Sequence, residues 1–370
     1  MARPPHLFVD ISAHGLGHLA QVAPVLITLF RLRPDVRLTI RSAVPEDRLR
    51  ARLPMPFELI SARSDLGFIM LDATRLDLPA SAQAYRDFHA NWTQRVADEV
   101  RFLAELAADL VLTDVAYLPL AAAAQTGTPA YAMCSLNWAD LFAHLFGRER
   151  WAPPIHAEIL AAYRSAKTFF RPTPSMPMDD LTNTCTVGPV ATRGRNRRAE
   201  LQARLGLGPE TRLVLIGFGG FDKTLGDQPW PSTEGTHWLT PANWPLGAKE
   251  NRVHPSMSGF ETLGWPLIDL LASVDAVLTK PGYGTFVEAT CNNIPVLYLL
   301  REDWPEQDCL IDWLQHHARS AAIDEAALFT PQLLRQLESL WRQPVPVTPK
   351  ANGDRDIAER LLACLAHERG

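Results

Sequence analysis

Two glycine-interrupted segments far apart in the chain set the strongest limit on its fold. They are Ser12-Ala13-His14-Gly15-Leu16-Gly17-His18 near the start and Lys280-Pro281-Gly282-Tyr283-Gly284-Thr285-Phe286-Val287-Glu288 late. Each lies between an apolar, strand-like run and a helix-like run, which is the pattern of a βα turn in a parallel sheet. Two such turns predict an α/β protein built from two doubly wound, Rossmann-like halves.

The length fits that division. At 370 residues the chain is long for one domain and sufficient for two, each with its own core. The arginine-rich stretch around Arg193, Arg195, Arg197, Arg198 and Arg204 reads as the junction. Residues 1–190 are expected to form one domain, 191–350 a second, and 351–370 a terminal helix able to pack back on the first. A net charge of −5 gives no broad basic field, which excludes nucleic acid as a partner. The start, Met-Ala-Arg-Pro-Pro-His, lacks a signal-like apolar run, and Leu103 to Ala124 is broken by Glu105, Asp109 and Asp114. With five cysteines in no metal-ligand spacing, the expectation is a soluble cytoplasmic chain with reduced thiols and no metal. Peripheral membrane contact and oligomeric state stay open.

In the first half the expected strands are Leu7 to Ile11, Val36 to Ser42, Leu110 to Asp114 and Ala130 to Cys134. Helices are expected over Gly17 to Leu32, Pro45 to Leu53, Ala80 to Ala108 and Leu118 to Gln125. Trp138, Phe142, Phe146 and Trp151 form an aromatic series, read as core or as an acceptor-binding wall. In the second half, strands at Leu213 to Phe218, Ala276 to Thr279 and Val296 to Leu300 alternate with helices at Pro266 to Val274 and Phe286 to Cys291 and from Asp308, Thr330 and Asp354. Between them, Phe221 to Glu250, with Trp230, Trp238 and Trp244, reads as irregular and as the place where ligand specificity resides.

The loops carry the chemistry. Gly282, Tyr283, Gly284 and Thr285 lie between a strand and a helix, where backbone N–H groups and the helix N-terminus favour a diphosphate. Glu288, one turn on, is placed to accept from ribose hydroxyls; the alternative is a carboxylate complementing the helix dipole. Gly217-Phe218-Gly219-Gly220 offers a second close approach for phosphate or sugar, or an ordinary turn. In the first loop, an imidazole at a strand's carboxyl edge suits removal of a hydroxyl proton, and Asp114, ending another strand, suits its orientation. The alternative makes His18 a helix-start hydrogen-bonder and Asp114 a cap. Asp354-Arg355-Asp356 reads as a helix start rather than a metal ligand set.

Taken together and in order, His14-Gly15-Leu16-Gly17-His18, Leu110-Val111-Leu112-Thr113-Asp114, Ser135-Leu136-Asn137-Trp138-Ala139-Asp140, Gly217-Phe218-Gly219-Gly220 and Gly282-Tyr283-Gly284-Thr285-Phe286-Val287-Glu288 run through nearly the whole chain. They resemble the two-domain GT-B glycosyltransferases. The likeness is greatest to the glycosyltransferase-like N-terminal domain of plant arabinokinases and its bacterial relatives, and more distant to the N-acetylglucosaminyltransferase of the peptidoglycan lipid intermediate. The resemblance implies an inverting transfer from a nucleotide-diphosphate sugar to an acceptor hydroxyl, and the absence of a metal-ligand pattern in the residues makes a metal-independent one the expectation. It implies His18 as general base, Asp114 as its orienting partner, and His14, Gly15, Gly17, Asn137 and Trp138 on the acceptor side. Donor contacts would come from Gly219, Gly220, Lys280, Gly282, Tyr283, Gly284, Thr285 and Glu288. Glu306-Gln307 stands where relatives hold donor-sugar hydroxyls, two residues later than usual, with Arg301 and Asp303 nearby. No cofactor is implied. The alternatives are a non-catalytic nucleotide-sugar-binding module, or an epimerase or hydrolase on the same fold.

Overall fold

The computed structural model describes residues 3–219, 230–231, 235–241 and 257–367. Its first sheet contains β1 (His6–Asp10), β2 (Arg37–Arg41), β3 (Glu58–Ile60), β4 (Leu110–Thr113), β5 (Ala130–Met133), β6 (Thr168–Pro172) and β7 (Thr184–Val187). With them alternate α1 (Leu16–Leu32), α2 (Glu46–Arg52), α3 (Leu78–Ala90), α4 (Trp92–Leu106), α5 (Leu118–Thr126), α6 (Trp138–Phe146) and α7 (Ala152–Ser165). After α8 (Arg198–Leu205), the second half comprises β8 (Arg212–Ile216), β9 (Thr236–Thr240), β10 (Met257–Gly259), α9 (Leu267–Leu271), β11 (Ala276–Thr279), α10 (Tyr283–Cys291), β12 (Val296–Tyr298), α11 (Glu306–His317), β13 (Ser320–Ala322), α12 (Gln332–Arg342) and α13 (Gly353–His367).

All strand pairings in the two sheets are parallel, in the orders β3-β2-β1-β4-β5-β6-β7 and β10-β9-β8-β11-β12-β13. Both sheets are doubly wound: strand order reverses between β1 and β4 in one and between β8 and β11 in the other. The central strands are short apolar runs buried on both faces, as parallel sheets covered by helices require. Apolar clusters accordingly fill the space on each side of each sheet. The last helix, α13, lies on α1: Ile357 and Leu361 join the cluster of Leu26 and Leu29, and Thr28 Oγ1 donates to Asp354 at 2.5 Å.

Three expectations fail here for local reasons. The helix expected over Ala80 to Ala108 is two, because Asn91 leaves helical geometry at ψ 27°. The irregular stretch after Phe221 contains β9; Trp238 is fully buried core, with Trp230 edge-on to it at 5.1 Å, whereas Trp244 lies outside the described residues. Polar Thr236, His237 and Thr240 mask that strand in the sequence. Finally, α10 begins at Tyr283, so Gly282 is its N-cap and Gly284 and Thr285 belong to its first turn.

Candidate functional site

In doubly wound sheets the crevice outside the carboxyl ends of the strands, at the point of order reversal, is where ligands bind. The His14–His18 loop follows β1 and Asp114 follows β4; Gly217 follows β8 and Lys280 follows β11. The topology thus brings the separated motifs to the two facing switch points.

On the N-terminal side Gly15, at φ 84°, turns the chain from β1 into α1. That turn sets His18 in the first turn of the helix, 5% exposed. Its Nδ1 lies 2.8 Å from Asp114 Oδ2, while Asp114 Oδ1 accepts from the backbone N–H of Ser12 (3.0 Å) and Val115 (2.6 Å). The carboxylate is therefore fixed by two peptide groups and fixes the imidazole in turn. Burial alone would lower the His18 pKa; Asp114 outweighs it and holds the imidazolium well above the usual histidine range. Nε2 makes no hydrogen bond among the described residues. Asp65 is a second buried carboxylate here, its pKa raised by burial and then by Asp114, and it accepts from Trp138 Nε1 at 3.0 Å.

Trp138 packs edge-on to His14 at 5.2 Å and tilted to His18 at 5.7 Å, so it is both core and wall of the site. His14 also stacks on Trp304 at 5.7 Å and 4°, and burial, followed by neighbouring His18, Arg301 and Lys280, pushes its pKa well below the ordinary value. Gly67 is held at φ +60° against the same ring, where any Cβ would meet His14 at 2.6 Å. Asn137 caps α6 by accepting from Asp140 N–H, and its buried Nδ2 has no partner. Gly17 faces the second lobe.

On the C-terminal side Lys280 folds back over the start of α10: a Cβ on Gly282 would lie 3.5 Å from its Nζ. Burial and then Arg301, partly offset by Glu306, push the Lys280 pKa down to about 7. An ammonium and a helix N-terminus converge there, an arrangement that suits an anion. Thr285 is half-buried in the first turn. Gly219, at φ +80°, has open space on its Cβ side, whereas Gly220 lies outside the described residues.

Other expected donor residues make contacts within the protein. The Tyr283 hydroxyl accepts from Val190 N–H (2.9 Å) and donates to the Thr173 carbonyl (3.2 Å), so its side chain ties α10 to the first lobe while its backbone opens the helix. Gly284 sits under α1, where a Cβ would come within 2.8 Å of Ala20; its smallness serves helix-to-helix approach. Glu288 receives both terminal nitrogens of Arg52 at 2.6 and 3.1 Å. Gln307 clamps the Arg301 backbone, accepting from its N–H (3.0 Å) and donating to its carbonyl (3.1 Å). Glu306 accepts from Ser135 Oγ across the cleft (2.7 Å) and from Trp304 Nε1 (3.0 Å). Asp303 pairs with His144 at 2.6 Å on the surface.

These contacts close the two lobes on each other. Asp65, Arg52 and Trp304 are participants that the motifs did not reveal, since Arg52 ends α2 and the other two lie in irregular segments, whereas Ser135 opens a quoted block without having been singled out. Among the described residues no group of three His, Cys, Asp or Glu side chains is arranged for a metal. Nor is any described helix long and apolar enough to cross a membrane.

No family model matches the chain. L-arabinokinase of Arabidopsis thaliana is 25% identical over 311 residues, which cover 83% of this chain and 29% of that protein; the chain spans under a third of that relative's length. The calicheamicin glycosyltransferase CalG4 superposes with a TM-score of 0.60 at 16% identity, covering 99% of each chain. Glycosyltransferase VinC, solved in complex with dTDP, gives 0.55 at 17% identity over 99% of this chain and 100% of VinC. Two facing, doubly wound lobes in this arrangement are the GT-B fold, which the chain shares with these glycosyltransferases.

Proposed function

We propose that the chain transfers a sugar from a nucleotide-diphosphate sugar to an acceptor hydroxyl with inversion, His18 acting as general base. The observation that carries this is the His18–Asp114 pair at one switch point, with Nε2 unbonded, facing a lobe whose α10 N-terminus and Lys280 converge on a place for an anion. In the reaction His18 Nε2 takes the acceptor's hydroxyl proton while that oxygen bonds to the anomeric carbon. The bond from the anomeric carbon to the phosphate oxygen breaks, and the nucleoside diphosphate leaves with the electron pair. Its developing charge meets the α10 N–H groups and Lys280. A single displacement inverts the anomeric centre. That VinC is a glycosyltransferase solved with dTDP supports a nucleotide on this scaffold. The protein needs no metal in this scheme, because the cation and the helix terminus occupy that role. It acts as a cytoplasmic enzyme.

The direct test is conversion of nucleotide sugar in the presence of an acceptor panel, with the product's anomeric configuration read by NMR. Hydrolysis without acceptor dependence overturns the transfer reading. Asp114→Asn supplies a pH test. The asparagine oxygen still accepts from Ser12 and Val115 N–H, but the charge that raises the His18 pKa is gone. Wild-type activity rises as pH climbs through that raised value; the variant's acid limb moves to lower pH while kcat falls on the order of 10²-fold. An unmoved limb removes His18 as the titrating base.

Donor entry requires Glu288 to exchange Arg52 for ribose hydroxyls. Arg52→Ala, which removes the competitor, raises affinity for the nucleoside diphosphate roughly tenfold if the latch is worth about 1.4 kcal/mol. Calorimetry reads this directly, and unchanged or weaker binding excludes Glu288 from the ribose. The commitment of Glu288 and Gln307 to protein partners favours one second reading, a nucleotide-sugar-binding module without turnover. Binding with no product from any acceptor selects it.

A further inference from the structure

The cleft holds a cation that the transfer scheme does not use. Arg301 follows β12 and is 7% exposed, yet its guanidinium makes no hydrogen bond or ion pair among the described residues, and its buried Nε is unpartnered. Its position is nevertheless set. Gln307 grips its backbone at both N–H and carbonyl, and the guanidinium carbon lies 3.6 Å from the centre of the Trp304 ring. That ring also stacks on His14. Arg301 therefore stands between the His14–His18 loop and Lys280.

A buried charge without a partner is costly, and a stack on one aromatic ring offsets only part of it. Glu306 is the acidic neighbour, but its oxygens already accept from Ser135 and Trp304. Burial, only partly offset by Glu306, pushes the Arg301 pKa down to about 10, and Lys280 beside it falls to about 7. Two cationic groups thus lie close enough for Arg301 to depress Lys280, with no free anion beside them, which is the complement of an anionic ligand. In the scheme above, Lys280 and α10 take the diphosphate and His18 faces the anomeric carbon. The sugar ring then lies beside Trp304, with Arg301 at its edge.

Resting on that reading, we propose that Arg301 binds a carboxylate carried by the donor sugar, so that the donor class is a nucleoside diphosphate uronate. A planar guanidinium matches a carboxylate in bidentate geometry, and it discriminates against a neutral hydroxymethyl group because that partner leaves the fork unsatisfied. The buried site amplifies the difference.

The experiment is calorimetry of the full chain with UDP and dTDP, then with the glucose and glucuronate conjugates of each. The expected result is that the glucuronate conjugate binds about ten- to hundredfold more tightly than the glucose conjugate. Arg301→Gln loses that preference while still binding the bare nucleoside diphosphate; Arg301→Lys, which keeps the charge without the fork, retains part of it. Equal wild-type affinity for the two conjugates overturns the uronate proposal and leaves the transfer reading standing. An Arg301→Gln variant that loses the bare diphosphate as severely as the glucuronate conjugate assigns Arg301 to phosphate and also overturns it. No binding of any of these nucleotides removes uridine and thymidine donors from the nucleotide-sugar reading and overturns the uronate proposal for them.

Discussion

Replacing His18 by alanine is expected to lower the proposed transfer by about 10²–10⁴-fold, the range that a positioned general base contributes, and to leave nucleoside diphosphate binding in place. The two readouts separate because His18 belongs to the first lobe, whereas the proposed anion contacts, Lys280 and the α10 N-terminus, belong to the second. His14 is no substitute. Its ring is packed between Trp138 and Trp304, and its pKa is pushed well below the usual value, making it a weaker base than the Asp114-supported imidazole. Single-turnover kinetics at saturating donor reads the chemical step without the binding step. Near-wild-type turnover in the variant ends the general-base assignment. Stability moves as well, with a definite sign. The folded His18 pKa is raised, so the contribution of this group is full below the ordinary histidine value near 6.5 and is lost as pH rises through the raised value. His18→Ala is therefore most destabilised at acid pH, and its kinetics are best compared above neutrality.

The parts of this site readable in the sequence are those fixed by local chain geometry. A strand end followed by His14-Gly15-Leu16-Gly17-His18 dictates a βα turn, and the parallel topology then carries Asp114 to its side, since Asp10 and Thr113 are neighbours in the β1–β4 register. Gly282 and Lys280 are placed by the same logic at the end of β11. What local pattern does not encode is how the lobes meet. Glu288 stands on the first turns of α10 as its position implies, but its partner, Arg52, comes from α2 in the other lobe. Tyr283 opens α10 at the loop as the pattern implies, but the partners of its hydroxyl, Val190 and Thr173, come from the other lobe. Gln307 follows Glu306 in the expected pairing, yet the longer spacing after β12 leaves Arg301 within its reach, and it binds that backbone instead. Asp65 and Trp304 lie in irregular segments with no periodicity, so only the folded chain brings them to His18 and His14.

Arg41→Met is expected to cost about 3–5 kcal/mol of folding stability, a large share of what a domain of this kind possesses. Arg41 ends β2 directly beside Asp10, the last residue of β1. Its Nε and Nη2 donate to Asp10 Oδ2 at 2.8 and 2.5 Å, and Nη1 and Nη2 donate to Glu99 of α4 at 3.0 and 2.6 Å. The three side chains are 2–8% exposed, and the guanidinium also lies over Phe8 and Phe102 at 5.3 and 4.8 Å. Methionine fills much of the stem's volume but leaves two buried carboxylates facing each other without a cation, so the loss is electrostatic rather than a cavity. Burial already pushes the Asp10 pKa up to about 7 against the pull of Arg41; without Arg41 it rises further. A carboxyl raised in the folded state contributes its stability below the unfolded value near 4 and loses it as pH climbs through the folded value. The deficit of the variant therefore grows from pH 5 to pH 8, as read by urea midpoints at the two pH values. A deficit independent of pH would mean that packing, not charge, is what Arg41 supplies. Because Asp10 lies at the end of β1, immediately before the Ser12–His18 loop, the same variant is also expected to loosen the base of the turn that carries the proposed general base. The Asp114-dependent acid limb should broaden or shift even where the chain remains folded.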